Sequence, residues 1–221
     1  MKRILAATGA TAAACMLLPA TAPARLSEVG SPTAQGRPSC PTNPCLAVSR
    51  TTGIQMSAAG ARNPYLIPRN GSIVAFTVAL GKPSAKQIDF FNKNLGGAPS
   101  VRLTVLRPAR RRANNFRFIV KAQSEVVPLS SYLGGTAQFA LARSIPVAKN
   151  DLLALTVPTW APVLAVGLTN STIWRASRPK PCSDNEAFQQ TAQQTIGGQT
   201  QYACEYKTAR MTYSATLVST P

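Results

Sequence analysis

Apolar and polar residues alternate along most of the chain. From Ser72 to Leu80, Val74, Phe76, Val78 and Leu80 fall on one face and Ile73, Ala75, Thr77 and Ala79 on the other. Val101, Leu103 and Val105 alternate with Arg102 and Thr104, and Phe116, Phe118 and Val120 alternate with Arg117 and Lys121. The theme continues through Ala137, Phe139 and Leu141, then Leu153, Leu155 and Val157. Near the end, Tyr202, Cys204 and Tyr206 oppose Gln201, Glu205 and Lys207, and Met211, Tyr213, Ala215 and Leu217 oppose Thr212, Ser214 and Thr216. A period of two is that of a strand with one face buried and one face wet. Gly, Pro and Asn punctuate the runs, as turns require.

One segment breaks the period. Ser84 and Gln87 form a capping box after Pro83, Ile88, Phe91 and Leu95 follow at helical spacing, and Gly96-Gly97 supplies the stop. This helix is expected to lie across a sheet or plug one end. A second, weaker helical pattern runs from Glu186 to Thr195. Two sheets packed face to face are the simplest cover for eight or more half-buried strands. The fold expected is therefore all-β: a two-sheet β-sandwich, jelly-roll-like, with one short helix.

The 221 residues are 45% hydrophobic and 14% charged, which suits one domain with a proper core and argues against disorder. Residues 1–24 read as a signal peptide. Lys2 and Arg3 are followed by an apolar run from Ile4 to Leu18 and by Ala22-Pro23-Ala24, an A-x-A cleavage site. The run is too short to span a bilayer, and no later stretch is long and apolar enough to do so. Cys15 belongs to the discarded segment, since Ala12-Ala13-Ala14 before it lacks the leucine of a lipid-anchor signal. Residues 25–45 form a Pro/Ser-rich N-terminal arm, and 46–221 a single sandwich domain. The expected location is extracellular.

Four cysteines remain: Cys40, Cys45, Cys182 and Cys204. An even number in an exported chain reads as disulfides. Three pairings are possible. The local one, Cys40–Cys45 with Cys182–Cys204, is favoured because Pro41, Asn43 and Pro44 bend the chain enough to close a short ring. A four-thiolate zinc site would need ligand spacings unlike those of zinc ribbons. Asp184, Asn185 and Glu186 offer too few oxygens for calcium. No metal and no cofactor is expected.

Several stretches look familiar together. They are Ile67-Pro68-Arg69-Asn70-Gly71-Ser72-Ile73-Val74-Ala75-Phe76, Leu103-Thr104-Val105-Leu106-Arg107-Pro108, Leu153-Ala154-Leu155-Thr156-Val157-Pro158-Thr159-Trp160-Ala161-Pro162 and the closing Thr208-Ala209-Arg210-Met211-Thr212-Tyr213-Ser214-Ala215-Thr216-Leu217. In these the chain resembles secreted proteins of high-GC Gram-positive soil bacteria. The resemblance implies export. It carries no activity and no site residues.

Charge and missing residue types narrow the chemistry. Lys plus Arg number 24 against seven acids, for a net charge of +17, and there is no histidine. That excludes Ser-His-Asp and Cys-His catalysis and His-ligated zinc within this chain. The excess sits between Val29 and Ser124, where fourteen basic residues meet one acid, Asp89. Its densest piece, Arg107 to Arg117, falls between two expected strands and so reads as a hairpin loop. Arg107, Arg110, Arg111 and Arg112, with Arg102, Arg117 and Lys121 on the wet face, would make one basic surface. Such a surface attracts polyanions: teichoic acid, acidic polysaccharide, lipid headgroups or extracellular nucleic acid. A dedicated nucleic-acid partner is not expected, because no aromatic–basic module is recognisable. The plainer reading is a solvated edge that resists sheet-to-sheet aggregation.

Trp160 and Trp174 are candidates for stacking on a sugar ring, with Gln189, Gln190, Gln193, Gln194 and Gln199 in the segment between Cys182 and Cys204 to bond its hydroxyls. Core packing of both tryptophans, over a stapled and solvated loop, is the alternative. Catalysis would need a carboxylate pair drawn from Glu125, Asp151 and Glu205. Asp151 reads better as a turn residue and Glu205 as a surface partner of Lys207 and Arg210. Ser177-Arg178-Pro179-Lys180 matches S-x-x-K, but its proline argues against the helix that motif needs. The leading expectation is a secreted, disulfide-stabilised module that binds an envelope or extracellular glycan or polyanion. A structural or assembly protein of the cell surface comes next, and a carboxylate glycoside hydrolase third.

Overall fold

The computed structural model describes residues 24–31, 36–42, 44–109, 116–178, 180, 182 and 191–219. The signal-peptide residues before 24, and Arg110, Arg111 and Arg112, lie outside them. The fold is all-β and sandwich-like, with one α-helix, as the alternation predicts.

The smaller sheet has the order β1-β15-β4-β8, formed by Arg25–Gly30, Tyr213–Ser219, Gly71–Ala79 and Thr136–Val147. The larger runs β12-β6-β5-β9-β2-β11-β13: Gln199–Gln201, Arg117–Gln123, Ser100–Pro108, Leu152–Ala161, Val48–Ala58, Ile173–Ala176 and Cys204–Lys207. Short strands β3 (Ala61–Arg62) and β7 (Val127–Pro128) join it beside β2 and β5. A two-stranded ribbon pairs β10 (Leu164–Val166) with β14 (Ala209–Met211). Neighbouring strands are antiparallel, and the two sheets share one core. Phe76, Val78 and Leu217 meet Leu103, Val105, Leu153 and Leu155 there, all fully buried.

Three expectations change. The arm at 25–45 is in part a strand: β1 pairs with β15 from Arg25↔Ser219 to Gly30↔Ser214. Its short, polar sequence hides it, because an edge strand needs backbone partners more than an apolar face. At its end Gly30, with φ +79°, lies against Tyr65, where an added Cβ would come within 2.2 Å of the ring. In β4 the register against β15 slips, with Ala75 opposite Thr216 but Ile73 opposite Leu217, so Val74 is one extra residue; Ile73 joins Phe76 and Val78 in the core and Val74 is left half-buried. A bulge adds one residue and so reverses which side chains face inward.

The third change concerns the large sheet, whose central strands are buried on both faces. Every residue from Leu152 to Val157 is buried, Thr156 as fully as Leu155. The sheet curls until its two edges nearly meet. β12 pairs with β6 at one edge, and only two residues later β13 pairs with β11 at the other. Between them the Tyr202 N–H donates to the Phe116 carbonyl (2.8 Å) and the Ala203 N–H to the Arg178 carbonyl (3.2 Å). A row of hydroxyls lies on the enclosed face: Thr52 to Thr156 (2.8 Å), Thr156 to Thr104 (2.6 Å), and Thr104 accepting from the Gln123 amide (3.0 Å). Gln193 closes over this row. Its carbonyl accepts from Gln123 (3.0 Å) and Thr52 (3.3 Å), and its side chain accepts from the Tyr202 hydroxyl (2.7 Å). Burial pushes the Tyr202 phenol well above its ordinary pKa, so it stays a donor. The Gln-rich segment is therefore anchored at Gln193 instead of solvated there. Residues 191–195 form no helix; the rest of the second expected helix lies outside the described residues.

The predicted helix is present as α1 (Ala85–Asn94), and both bonds of its capping box form. Phe91 and Leu95 cover Trp160, with Ile88, Ala47 and Cys45 around them, as a second cluster apart from the main core. Both disulfides follow the favoured pairing, with Cα–Cα distances of 4.3 Å for Cys40–Cys45 and 5.5 Å for Cys182–Cys204.

The double variant Cys182→Ser/Cys204→Ser is expected to lose about 3 kcal/mol in urea unfolding, the loop-entropy value for a closure of this length. Trp160→Ala, which empties the space beneath α1, is expected to cost about 3–5 kcal/mol in the same measurement.

Candidate functional site

The basic segment is a hairpin, as expected. β5 and β6 pair from Thr104↔Gln123 to Pro108↔Phe118, and the Ala109 N–H donates to the Arg117 carbonyl (3.0 Å) to close its base. The structure places the described cations of the proposed surface in three settings. Arg117 is exposed, opposite Gln201. Arg102 folds back, and its Nε and Nη2 donate to the Ser124 carbonyl at 2.8 and 2.6 Å. Burial lowers its pKa from the ordinary arginine value. Arg107 and Lys121 converge on Asp151 at 3.2 and 2.7 Å.

Asp151 is only 2% exposed. Burial pushes its carboxyl up, but the Lys121 ammonium, the Ala148 N–H (2.8 Å) and the Arg107 guanidinium outweigh that and hold it below its ordinary value. The turn role expected from Lys149-Asn150-Asp151 is present, since the Ala148 bond closes that turn. The salt bridge across to the hairpin is additional.

The other two carboxylates do not join it. Glu205 lies on β13, three strand positions from β9 along the sheet. Glu125 follows β6 near the Arg102↔Thr156 end of the sheet, while Asp151 adjoins the Leu106↔Leu152 end. A glycosidase pair stands about 5–9.5 Å apart. Glu205 instead pairs with the Arg175 guanidinium and lies 4.0 Å from Lys207. Arg210, expected on the surface near Glu205, is buried. It donates to the Ser31 carbonyl and to the Tyr65 hydroxyl (3.3 Å). The alternation places Arg210 opposite Met211, but β14 is covered on both sides, so position alone does not expose it.

Both aromatic candidates are core residues. Trp160 has no exposed surface, and its Nε1 donates to Asn92 Oδ1 (3.0 Å) and the Gly97 carbonyl (2.9 Å). Trp174 is 5% exposed and stacks on Tyr206 with centroids 4.5 Å apart. Neither is an open platform for a sugar ring. The apolar stripe of α1 was the signal for Trp160, since that stripe needs a large apolar partner.

Comparison with protein-family models, curated proteins and solved structures finds no match.

Two features were not visible in the sequence. Arg175 lies over the Phe116 ring, with Cζ 3.7 Å from its centroid, and so extends the hairpin's cations across the closed seam of the sheet. A cleft of about 810 Å³ opens beside the Cys40–Cys45 loop, with Gly81 and Gly135 in its wall. The charged residues among its described lining are Arg37 and Lys82, with no acid. No sequence pattern joins positions so far apart. No group of three or more Cys, Asp or Glu among the described residues could hold a metal.

Asp151→Asn is expected to destabilise the fold by about 1–3 kcal/mol at neutral pH, because Lys121 and Arg107 lose their counter-charge. The depressed pKa of Asp151 stabilises the native state above about pH 4, and this contribution is lost as pH falls through the lower, folded value. In acid titrations followed by circular dichroism, the variant is expected to show a shallower loss of stability below pH 4 than the parent.

Proposed function

We propose that the protein is a secreted module that binds an anionic polymer or anionic glycan of the cell envelope or the extracellular space, and that it acts by contact. The observation carrying this reading is the cation excess that survives internal pairing at the hairpin. Asp151 is shared between Arg107 and Lys121, and Glu205 between Arg175 and Lys207, so each cluster keeps a net positive charge. Arg107 and Arg117 remain exposed at the base of a loop whose sequence adds Arg110, Arg111 and Arg112. Clustered guanidinium groups match phosphate and carboxylate oxygens in geometry as well as charge. Burial of both tryptophans leaves a neutral sugar without its aromatic platform and so favours anionic ligands.

Export is part of the proposal. It is supported by the leader-like residues 1–24, and the two disulfides fit an oxidising compartment. No helix among the described residues is long and apolar enough to cross a membrane.

Poly(glycerol phosphate) teichoic acid is expected to bind saturably at low salt, with affinity falling at least about tenfold between 50 mM and 500 mM NaCl as screening shortens. The variant Arg110→Ser/Arg111→Ser/Arg112→Ser should weaken binding by a similar factor without changing thermal stability. Lys82→Ser paired with Arg37→Ser tests whether the cleft is the seat instead. Binding that ignores both salt and these substitutions would sink the proposal.

A further inference from the structure

A second pocket, of about 350 Å³, lies where the start of β2 meets the β10–β14 ribbon and the β11–β13 edge of the large sheet. Its walls are largely apolar, with Val48, Leu164, Val166 and Ala209 beside the stacked rings of Trp174 and Tyr206. Arg178 also lines it and is 6% exposed. The guanidinium donates to the Ser49 carbonyl (3.0 Å) and to the Tyr206 hydroxyl (3.2 Å), both neutral oxygens. Its Nε has no partner, and neither has the Trp174 indole N–H.

Carboxylates meet cations at Asp151 and Glu205, whereas buried Arg210, like Arg178, has only neutral oxygens, though Arg210 does not line this pocket. Arg107 and Lys121 have Asp151, and Arg175 has Glu205. No carboxylate among the described residues forms an ion pair with Arg178. Lys207, at the same pocket, has only the distant oxygen of a glutamate already held by Arg175. A buried charge met only by neutral dipoles is under-compensated, and an arriving anion gains what the protein leaves unpaired. The volume falls in the range of small-molecule sites, and the lining combines an apolar body with two cations, the buried Arg178 and Lys207 at the rim.

We infer that this pocket binds a small amphipathic anion: a flat, apolar body packed against Val166, Leu164 and the Trp174–Tyr206 pair, with a single carboxylate or sulfonate turned to Arg178. This goes beyond the polymer reading and does not depend on it. The pocket and the β5–β6 hairpin share no residue.

The test is calorimetric titration of the full chain with 2-naphthoate and with its uncharged counterpart, 2-naphthalenemethanol. Saturable one-to-one binding of the naphthoate is expected, at least about tenfold tighter than the alcohol. Arg178→Gln should bring the two ligands to equal affinity, with folding checked by near-ultraviolet circular dichroism. Val166→Phe, which fills the pocket and leaves Arg178 in place, should abolish binding of both, and it decides the matter if the arginine variant does not fold. Arg110→Ser/Arg111→Ser/Arg112→Ser should bind the naphthoate like the parent, whatever becomes of polymer binding. No saturation at millimolar naphthoate, equal affinity for acid and alcohol in the parent, or undiminished binding by Val166→Phe would each overturn the inference.

Discussion

Burial of the large sheet on both faces is the constraint on which the rest of the structure depends. One face packs on the smaller sheet through Leu103, Val105, Leu153 and Leu155, as in any sandwich. The other carries Thr52, Thr104 and Thr156, which would ordinarily be wet. Here the sheet curls over them and the segment before Cys204 closes the gap. Hydroxyls enclosed in this way must find partners within the protein, since an unmet one is costly. Gln193 meets the requirement from the covering side, and the Cys182–Cys204 bridge tethers the covering segment. Two tyrosine hydroxyls are also met inside the fold. Tyr65 donates to the Tyr213 carbonyl, and Tyr213 donates to the Leu153 carbonyl across the sandwich (3.1 Å). Burial keeps both phenols protonated.

The same closure arranges the charge. A chain with 24 basic residues and seven acids cannot pair each cation with a carboxylate. Among the described residues Asp151 and Glu205 form the ion pairs, each with two cations, while Glu28 accepts from the Ser214 and Thr216 hydroxyls. The surplus is left at the surface, on the hairpin and in the cleft beside the first disulfide. A surplus of that kind favours binding to anions and solubility over sheet-to-sheet association. Arg178 and Arg210 are the buried exceptions. Arg210 is met by a carbonyl and a phenol, and Arg178 is met in the same way at the wall of a pocket.

Much of this was legible in the chain. Alternation at Val101–Leu103–Val105 and at Leu153–Leu155–Val157 marks the core strands, because a strand can bury only every second side chain against one partner sheet. Ser84, Gln87 and the Ile88–Phe91–Leu95 stripe mark α1, because capping and helical periodicity are local properties. The prolines around Cys40 and Cys45 favour the short ring for the same reason. The hairpin beneath the arginine-rich loop follows from two strands joined by a short connection.

What the sequence determined by itself is whatever depends on near neighbours: fold class, helix, hairpin and an overall charge that nothing in the chain cancels. The tertiary structure alone decided which faces meet. It turned the Thr row inward, buried Trp160 under α1 and Trp174 on Tyr206, drew Arg107 and Lys121 onto Asp151, and left Arg178 beside a pocket with no acid among its described lining residues. Each of these contacts joins residues far apart in the chain. Alternation states that one side of a strand is apolar, but only the curl of the sheet and the passage of a covering segment decide whether its other side ever reaches water.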